Sequence, residues 1–178
     1  MEQIKELTKR LIANSFKELM LQTPFDKITI KMITDHASVI RPTFYNHFHD
    51  KYELVEWIVT DEVLDRVREL TLQKRGRDAV VALLTGFLED RTYYHKAFEI
   101  EGQNGFTDML HDKLTNLILE LFGKDERETR FASRYYAGGL ITLIRFAMAE
   151  EGQDMNYDEI IDMYVHTNRQ LFEQLKNE

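Results

Sequence analysis

The chain has 178 residues, 43% of them hydrophobic and 11% aromatic, so it can bury a substantial core and is not a disordered protein. It has no cysteine, which excludes disulfides and thiolate metal sites and agrees with a reducing cytoplasm. The net charge of −8 excludes a uniformly basic surface, but residues 1–51 carry six lysines and two arginines against six acidic residues, whereas residues 52–178 carry 15 basic and 25 acidic ones. This asymmetry predicts a mildly basic N-terminal part followed by an acidic one.

The chain lacks membrane signals. Its first residues, MEQIKELTKRL, are charged throughout and have no signal-peptide core. Apolar runs stay below the roughly 18 residues that a membrane-spanning helix needs. We therefore expect a cytoplasmic protein with no membrane partner.

The first predicted element is an amphipathic helix from about Gln3 to Leu21. Thr23-Pro24 ends it, because proline donates no backbone hydrogen bond and disfavours a helical residue before it. Lysines and an arginine on its other surfaces indicate a solvated face, although the N-terminal ones could also approach phosphates. The apolar residues at helical spacing are Ile4, Leu7, Leu11, Ile12, Phe16, Leu19 and Met20.

Two short helices joined by a tight turn are predicted next, over residues 29–51. Thr29 is the expected N-cap of the first, with Ile30, Ile33 and Ala37 on its buried side and the turn at Ser38-Val39. The second begins at Arg41 and Pro42, where proline sacrifices no intrahelical bond, and extends to His47 as an exposed polar and aromatic helix. The residues expected inside are Val39, Phe44 and Phe48.

Longer helices are predicted for the rest of the chain. Asp50 is the expected cap of a helix from Lys51 to about Leu72, and Lys74–Arg77 is a polar break. Asp78 is the expected cap of an apolar helix that continues through EDRTYYHKAF, and EGQNG is a loop. The remaining helices are predicted at Phe106 to Phe122 with a stop at Gly123, at Glu126 to Ala149, and at Tyr157 to Leu175. The predicted fold is all-α, with about nine helices.

The segment IKMITDHASVIRPTFYNHFHDKYEL resembles the DNA-binding signature of TetR-family transcriptional regulators, whose pattern is about T-x-x-x-I-A-x-x-A-G-V-S-x-x-T-x-Y-x-H-F-x-x-K-x-x-L. Two positions depart from it. Ser38 replaces the turn glycine and Ile40 the capping serine, which predicts a less ideal turn and a start of the second helix that is shifted by one residue. The residues in register are Thr29, Ile33, Ala37, Val39, Thr43, Tyr45, His47, Phe48, Lys51 and Leu54.

The resemblance implies a three-helix helix-turn-helix domain over residues 1–50 and a helical effector-binding and dimerisation domain over residues 51–178. It also implies DNA contacts, for which the chemistry of each side chain suggests a role. We expect Arg41, Pro42, Tyr45 and Asn46 at base edges, and Thr29, Thr43, His47 and Lys51 at phosphates. Lys31 suits either.

TetR regulators pair through their last two helices, which implies a homodimer of this chain on a palindromic double-stranded operator. Apolar stripes also occur in ordinary cores, so about half of the candidate interface residues are expected inside the chain's own core. The candidates are Phe131, Gly138, Gly139, Thr142, Phe146, Ile161, Tyr164 and Val165.

An effector pocket is predicted in the middle helices, where aromatic residues with a few polar neighbours could surround a ligand; an ordinary core is the equal alternative. The candidates are Tyr93, Tyr94, Phe98, Phe106, Met109, Tyr135 and Arg145. The stretch YYHKAFEIEGQNGF is similar to a TetR subgroup that includes regulators of dihydroxyacetone kinase operons. The ligand itself stays open, as a small molecule or a partner protein.

The predicted function is that of a transcriptional regulator, a repressor by expectation, whose operator affinity an effector switches by tilting the 51–72 helix. An enzyme is not expected, since the nucleotide-binding, hydrolase and metalloprotease motifs are absent. His47 and His49, two apart on a helix, point in different directions, so neither a metal nor another cofactor is expected. The alternatives are a helical protein-interaction module and a coactivator-dependent activator without a small-molecule ligand.

Overall fold

The computed structural model describes residues 2–102, 104–122, 126–152 and 154–175, and the predicted stop at Gly123 lies outside these ranges. The described chain is helical throughout, without strands. Its α-helices are α1 Glu2–Gln22, α2 Ile30–His36, α3 Arg41–Tyr45, α4 Lys51–Val59, α5 Asp65–Leu72, α6 Gly76–Glu89, α7 Arg91–Ala97, α8 Phe106–Phe122, α9 Arg127–Met148 and α10 Tyr157–Leu175. A π-helical turn, Thr60–Leu64, joins α4 to α5. If α4, the π turn and α5 are counted as one helix, the described ranges contain nine helices, which confirms the all-α prediction.

The helices form two compact units. The first consists of Met1–Glu62 and Asp90–Met109, and the second of Val63–Glu89 and Leu110–Glu178. Unit 1 therefore holds α1 to α4 together with α7, a segment that returns to it from later in the sequence. The functional domain ranges 1–50 and 51–178 stay a prediction.

The core of unit 1 is built on one side of α1. Ile12, Phe16 and Met20 are buried there, and the Phe16 ring meets Phe25 edge-on at 6.3 Å and Tyr93 at 6.5 Å. Burying side chains of this size stabilises a fold by about 1.5–3 kcal/mol each. The first turns of α1 do not contribute to this core, because Ile4, Leu7 and Leu11 are 71%, 72% and 47% exposed. The apolar stripe predicted over the whole helix is thus buried only in its second half.

The helix from 51 to 72 begins as predicted and contains an unpredicted π turn. The Asp50 carboxylate accepts hydrogen bonds from the backbone N–H groups of Tyr52 and Glu53, at 2.8 and 2.9 Å. At the first residue of the π turn, the Thr60 hydroxyl donates to the Glu56 carbonyl at 2.7 Å, a bond that bends helices. Within unit 2, Val63 of the turn lies over Gly86, where a β-carbon would come within 2.7 Å of it.

The helix predicted to continue through EDRTYYHKAF is interrupted at Asp90. Its carboxylate accepts a hydrogen bond from the Tyr93 N–H at 3.4 Å and so caps a new helix, α7. An aspartate side chain that binds backbone donors in this way competes with the continuing helix. The predicted cap at Asp78 is also wrong, because α6 already begins at Gly76 and Asp78 instead pairs with Arg75.

Unit 2 packs α6, α9 and α10 against one another. The capping box of α9 pairs the Glu126 N–H with the Thr129 hydroxyl at 3.0 Å. Gly139 lets α10 approach, since a β-carbon there would be 2.8 Å from the Tyr164 hydroxyl. No helix of the described chain is long and apolar enough to span a bilayer.

Candidate nucleic-acid interface and the cavity of unit 2

The two short helices are held by a small aromatic and aliphatic core. Thr29 caps α2 as predicted, its hydroxyl accepting the Met32 N–H at 3.2 Å. Phe44 and Phe48 are buried with their rings 5.7 Å apart, and Phe48 continues to Trp57 at 5.8 Å. Rigid packing under a five-residue helix fixes the direction of its exposed side chains.

The turn between these helices tolerates both departures from the family pattern. Ser38 has φ 53°, so it occupies the left-handed conformation that the family glycine adopts freely. Ile40 precedes α3 without a side-chain cap, and the Thr43 N–H bonds to the Ile40 carbonyl at 2.9 Å. The helix begins at Arg41, directly after the family's cap position, so the expected one-residue shift is wrong; the fixed φ of Pro42 suits a first turn without a cap.

The structure exposes most of the predicted DNA contacts. Of the four residues expected at base edges, all are exposed, and Tyr45 is 51% accessible. α3 ends at Tyr45, two residues before the predicted end at His47. Asn46 is its C-cap, and His47 lies in the following turn. Among the residues expected at phosphates or in either role, Thr29 and Lys31 are exposed, while Thr43, His47 and Lys51 are half-buried.

Lys51 has a structural task that the sequence did not indicate. Its Nζ donates to the carbonyls of Phe25 and Ile28 at 2.7 and 3.0 Å and lies 4.2 Å from the Phe25 ring centroid. Burial lowers the pKa of this amine, although the nearby Asp26 charge acts in the opposite direction. Of its three N–H donors, two are thus used to close the loop before α2.

Lys5 and Lys9 stand close enough to His47 to affect its titration. The pKa of His47 is lowered by burial first and then by the charges of Lys9 and Lys5. The sequence interpretation gave these lysines to a solvated face, yet the fold adds positive charge beside the end of α3. Their spacing of four, which puts both on one side of α1, was the available signal.

The predicted effector residues are divided between the two units. Four of them lie in unit 1, namely Tyr93, Tyr94, Phe98 and Phe106. Neighbouring rings there have centroids 5.0 to 6.2 Å apart in edge-to-face or tilted arrangements. Tyr93, Tyr94 and Phe106 are at most 1% exposed. Burial raises the pKa of both tyrosines well above its usual value, and the charge of Glu62 adds to this. Met109 is half-buried, whereas Tyr135 and Arg145 are exposed on α9.

A cavity of about 420 Å³ lies within unit 2, and the predicted effector residues are not among the described residues that line it. Its walls come from α5, α6, α8, α9 and α10. They are formed by Val67, Thr71, Lys74, Gly76, Ala79, Val80, Leu83, Leu114, Leu117, Ile118, Leu121, Tyr136, Leu140 and Tyr164. The sequence interpretation missed this site because aliphatic residues at helical spacing are indistinguishable from core until the helices are placed.

The candidate dimer residues divide between surface and interior. Phe131 is 74% and Val165 56% exposed, and Thr142 is also exposed. Ile161 is buried within its own chain at 4%, and Tyr164 is half-buried against Gly139. Gly138 and Phe146 are also half-buried. On α9, Phe131, Tyr135, Gly138, Thr142 and Arg145 follow at helical spacing, a face that its own chain leaves largely uncovered.

The chain is similar to known bacterial regulatory proteins. The family described as "Bacterial regulatory proteins, tetR family" matches residues 17–58. The HTH-type dhaKLM operon transcriptional activator DhaS of Lactococcus lactis subsp. lactis (strain IL1403) is 24% identical over 165 residues, 88% of each chain. A solved structure of a dihydroxyacetone kinase operon activator DhaS has a TM-score of 0.62 at 22% identity, covering 90% of this chain and 95% of that one. NalD, the secondary repressor of the MexAB-OprM multidrug efflux pump in Pseudomonas aeruginosa, has a TM-score of 0.64 at 17% identity, covering 90% and 96%.

Proposed function

We propose that the chain, whose residues 17–58 match the tetR family of bacterial regulatory proteins, acts as a homodimer on a palindromic operator and that an effector in unit 2 changes its operator affinity. The observation that carries the proposal is α3, a five-residue helix whose Arg41, Pro42 and Tyr45 are exposed above buried Phe44. A short, rigidly supported helix with polar and aromatic side chains at its outer surface suits the major groove.

Dimerisation is supported by the uncovered face of α9. Phe131 and Tyr135, 74% and 43% exposed, are one turn apart, and large apolar surfaces of this kind mark interaction sites. A second copy would present a second α3, and helix-turn-helix dimers need the two recognition helices about 34–36 Å apart, or a multiple of this.

Effector control is supported by the cavity of unit 2. Its volume of about 420 Å³ lies in the usual range for small-molecule sites, and its walls are mainly apolar. A ligand that prefers one arrangement of α5 and α6 would act on the helix that contains the π turn, and π turns within helices are frequent at functional sites. The effector would thereby change the spacing of the two recognition helices.

The sign of regulation has two candidates. A repressor blocks transcription by occupying its operator, as the name of NalD states for that protein. The second candidate, an activator, is favoured by the name of the Lactococcus relative, which matches over most of both chains. We place the repressor first, and a reporter gene behind the selected operator, assayed with and without the protein, decides the sign.

The operator itself is found by selecting bound duplexes from random DNA with the full-length protein. We expect an inverted repeat whose half-sites are separated by a whole helical turn, with affinity that falls steeply with salt. Enrichment of no sequence, or of a single half-site without symmetry, would refute the proposal. Footprinting on the selected duplex then shows whether α3 variants lose contacts in the major groove.

A further inference from the structure

The cavity of unit 2 has walls that suit an apolar body. Its aliphatic side chains come from four helices, among them Val67, Leu83, Leu114, Leu117 and Leu140. The polar groups are few, namely Thr71, Lys74 and the phenols of Tyr136 and Tyr164. A polyol such as a triose could not satisfy its hydroxyl groups against such walls, and unsatisfied buried polar groups are costly.

Lys74 lines this cavity and is an exposed residue, and it differs from the neighbouring cations Arg75 and Arg77, which are paired. Arg75 pairs with Asp78 at 2.7 Å, and Arg77 pairs with Asp158 and Asp162 at 2.7 and 3.0 Å. Among the described residues, none forms an ion pair with the Lys74 ammonium. The cavity therefore has one cation among its described lining residues, with its charge still available.

The backbone of Lys74 is a second, independent observation. Its φ is 59°, in the left-handed region where helices usually end on glycine. Its N–H bonds to the Thr71 carbonyl at 2.9 Å, and the Arg75 N–H bonds to the Leu70 carbonyl at 3.0 Å, which closes α5. A glycine would serve this cap with less strain, so the position holds a lysine at a conformational cost.

We propose that the cavity binds an organic monocarboxylate with an apolar alkyl body, the carboxylate pairing with Lys74 and the body lying between the aliphatic walls. This inference rests on the proposed effector role of unit 2 and names the chemical class of the effector. The Tyr136 and Tyr164 hydroxyls are further donors for the carboxylate, and Lys74 is the residue that selects an anion over a neutral ligand.

The test measures binding of decanoate, decanol and dihydroxyacetone to the full-length protein by isothermal titration calorimetry, without DNA. We expect decanoate to bind at least about tenfold more tightly than decanol, as one charge-assisted hydrogen bond allows, and dihydroxyacetone not to bind in the cavity. Equal binding of decanoate and decanol, or preferential binding of dihydroxyacetone, would overturn the inference.

Lys74→Gly is the informative variant because it removes the charge and relieves the left-handed backbone. We expect its Tm to equal or exceed that of the wild type while decanoate affinity falls about tenfold. Lys74→Met keeps the aliphatic stem and should lose the same affinity, whereas Lys74→Arg should retain it. Unchanged decanoate binding in Lys74→Gly would show that the lysine only complements the carbonyl groups at the end of α5.

Leu117→Trp, which fills the cavity, separates a ligand site from an interface. We expect it to abolish decanoate binding and leave the molecular mass in solution unchanged. If decanoate does not bind the wild type and this variant lowers the mass, the cavity is a contact between copies, and the inference fails. Operator selection is measured separately, so a protein that selects an operator and ignores decanoate contradicts only the inference.

Discussion

At the scale of single residues, we expect exposed side chains of α3 to contact DNA bases, whereas other residues mainly support the fold. Arg41 is exposed, and its guanidinium can pair with two acceptors of a guanine. We expect Arg41→Ala to cost about 1–3 kcal/mol of binding free energy on the selected operator and little on duplexes altered at the contacted base. Titrations of matched and altered duplexes by fluorescence anisotropy check this.

Lys51→Ala is the contrasting change. Its ammonium binds the Phe25 and Ile28 carbonyls, so its loss should lower the thermal stability. It should also lower the DNA affinity by about the same factor for every DNA sequence. Lys27→Ala, an exposed lysine in the same loop region, is the control and should leave Tm unchanged. A Lys51→Ala protein with unchanged Tm and unchanged DNA affinity would contradict both roles.

We expect His47 to make operator binding depend on pH. In the free protein its pKa lies below the usual value because of burial and the lysine charges, so it is neutral at neutral pH. A DNA phosphate stabilises the protonated form, so binding takes up a proton and operator affinity should rise as the pH falls from about 8 to about 6. The depressed pKa also means that the free fold loses some stability as the pH falls below the ordinary histidine pKa of 6.5.

His47→Gln removes this titration while keeping a hydrogen-bond donor. Its operator affinity should change less with pH than that of the wild type, and the ratio of the two affinities isolates the histidine from all other groups. Parallel pH profiles for both proteins would show that His47 takes no proton on binding.

At the scale of elements, an ion network in unit 1 joins α1, the π turn and the start of α7. The Lys17 Nζ lies 2.8 Å from Glu62 and 2.6 Å from Asp90, and the Tyr94 hydroxyl donates to Glu62 at 3.2 Å. Burial lowers the pKa of Lys17, but hydrogen bonds to the two carboxylates and their charges outweigh this and raise it. The contribution of the raised lysine pKa is therefore complete at neutral pH and is lost as alkaline pH deprotonates the amine.

Lys17→Met leaves two carboxylates side by side without their cation. We expect a loss of about 1–3 kcal/mol in the free energy of unfolding, because charged hydrogen bonds at a partly buried site are removed. Chemical denaturation measures it. Arg66→Met, which breaks the exposed pair with Glu69, is the control and should cost below about 1 kcal/mol. Equal losses in the two variants would show that the network contributes no more than a surface pair.

At the scale of the whole molecule, the α9 face is the proposed contact that brings two recognition helices together. Phe131→Glu places a charge on that face, and since Phe131 is 74% exposed in one chain, its replacement should not disturb the folded subunit. We expect sedimentation velocity to show a monomer and operator affinity to fall about a hundredfold or more, as binding of two linked sites is lost.

Phe131→Leu is the matched control, because it retains an apolar side chain and should remain a dimer. A wild type that sediments as a monomer would refute the homodimer directly. A Phe131→Glu protein that remains dimeric would instead move the interface away from this face of α9.

The sequence by itself determined the helices and the helix-turn-helix, because hydrophobic periodicity, the Thr29 and Asp50 caps and the Ser38 turn are local properties of the chain. It did not determine which apolar stripes meet. Tyr93 and Tyr94 look like pocket residues in the sequence, yet in the fold Tyr93 packs against Phe16 of α1 and Tyr94 packs against Tyr93, while a cavity forms between aliphatic residues far apart in the chain. Only the tertiary structure decided this, because burial, the π turn and the position of Lys74 depend on contacts between helices that no local pattern specifies.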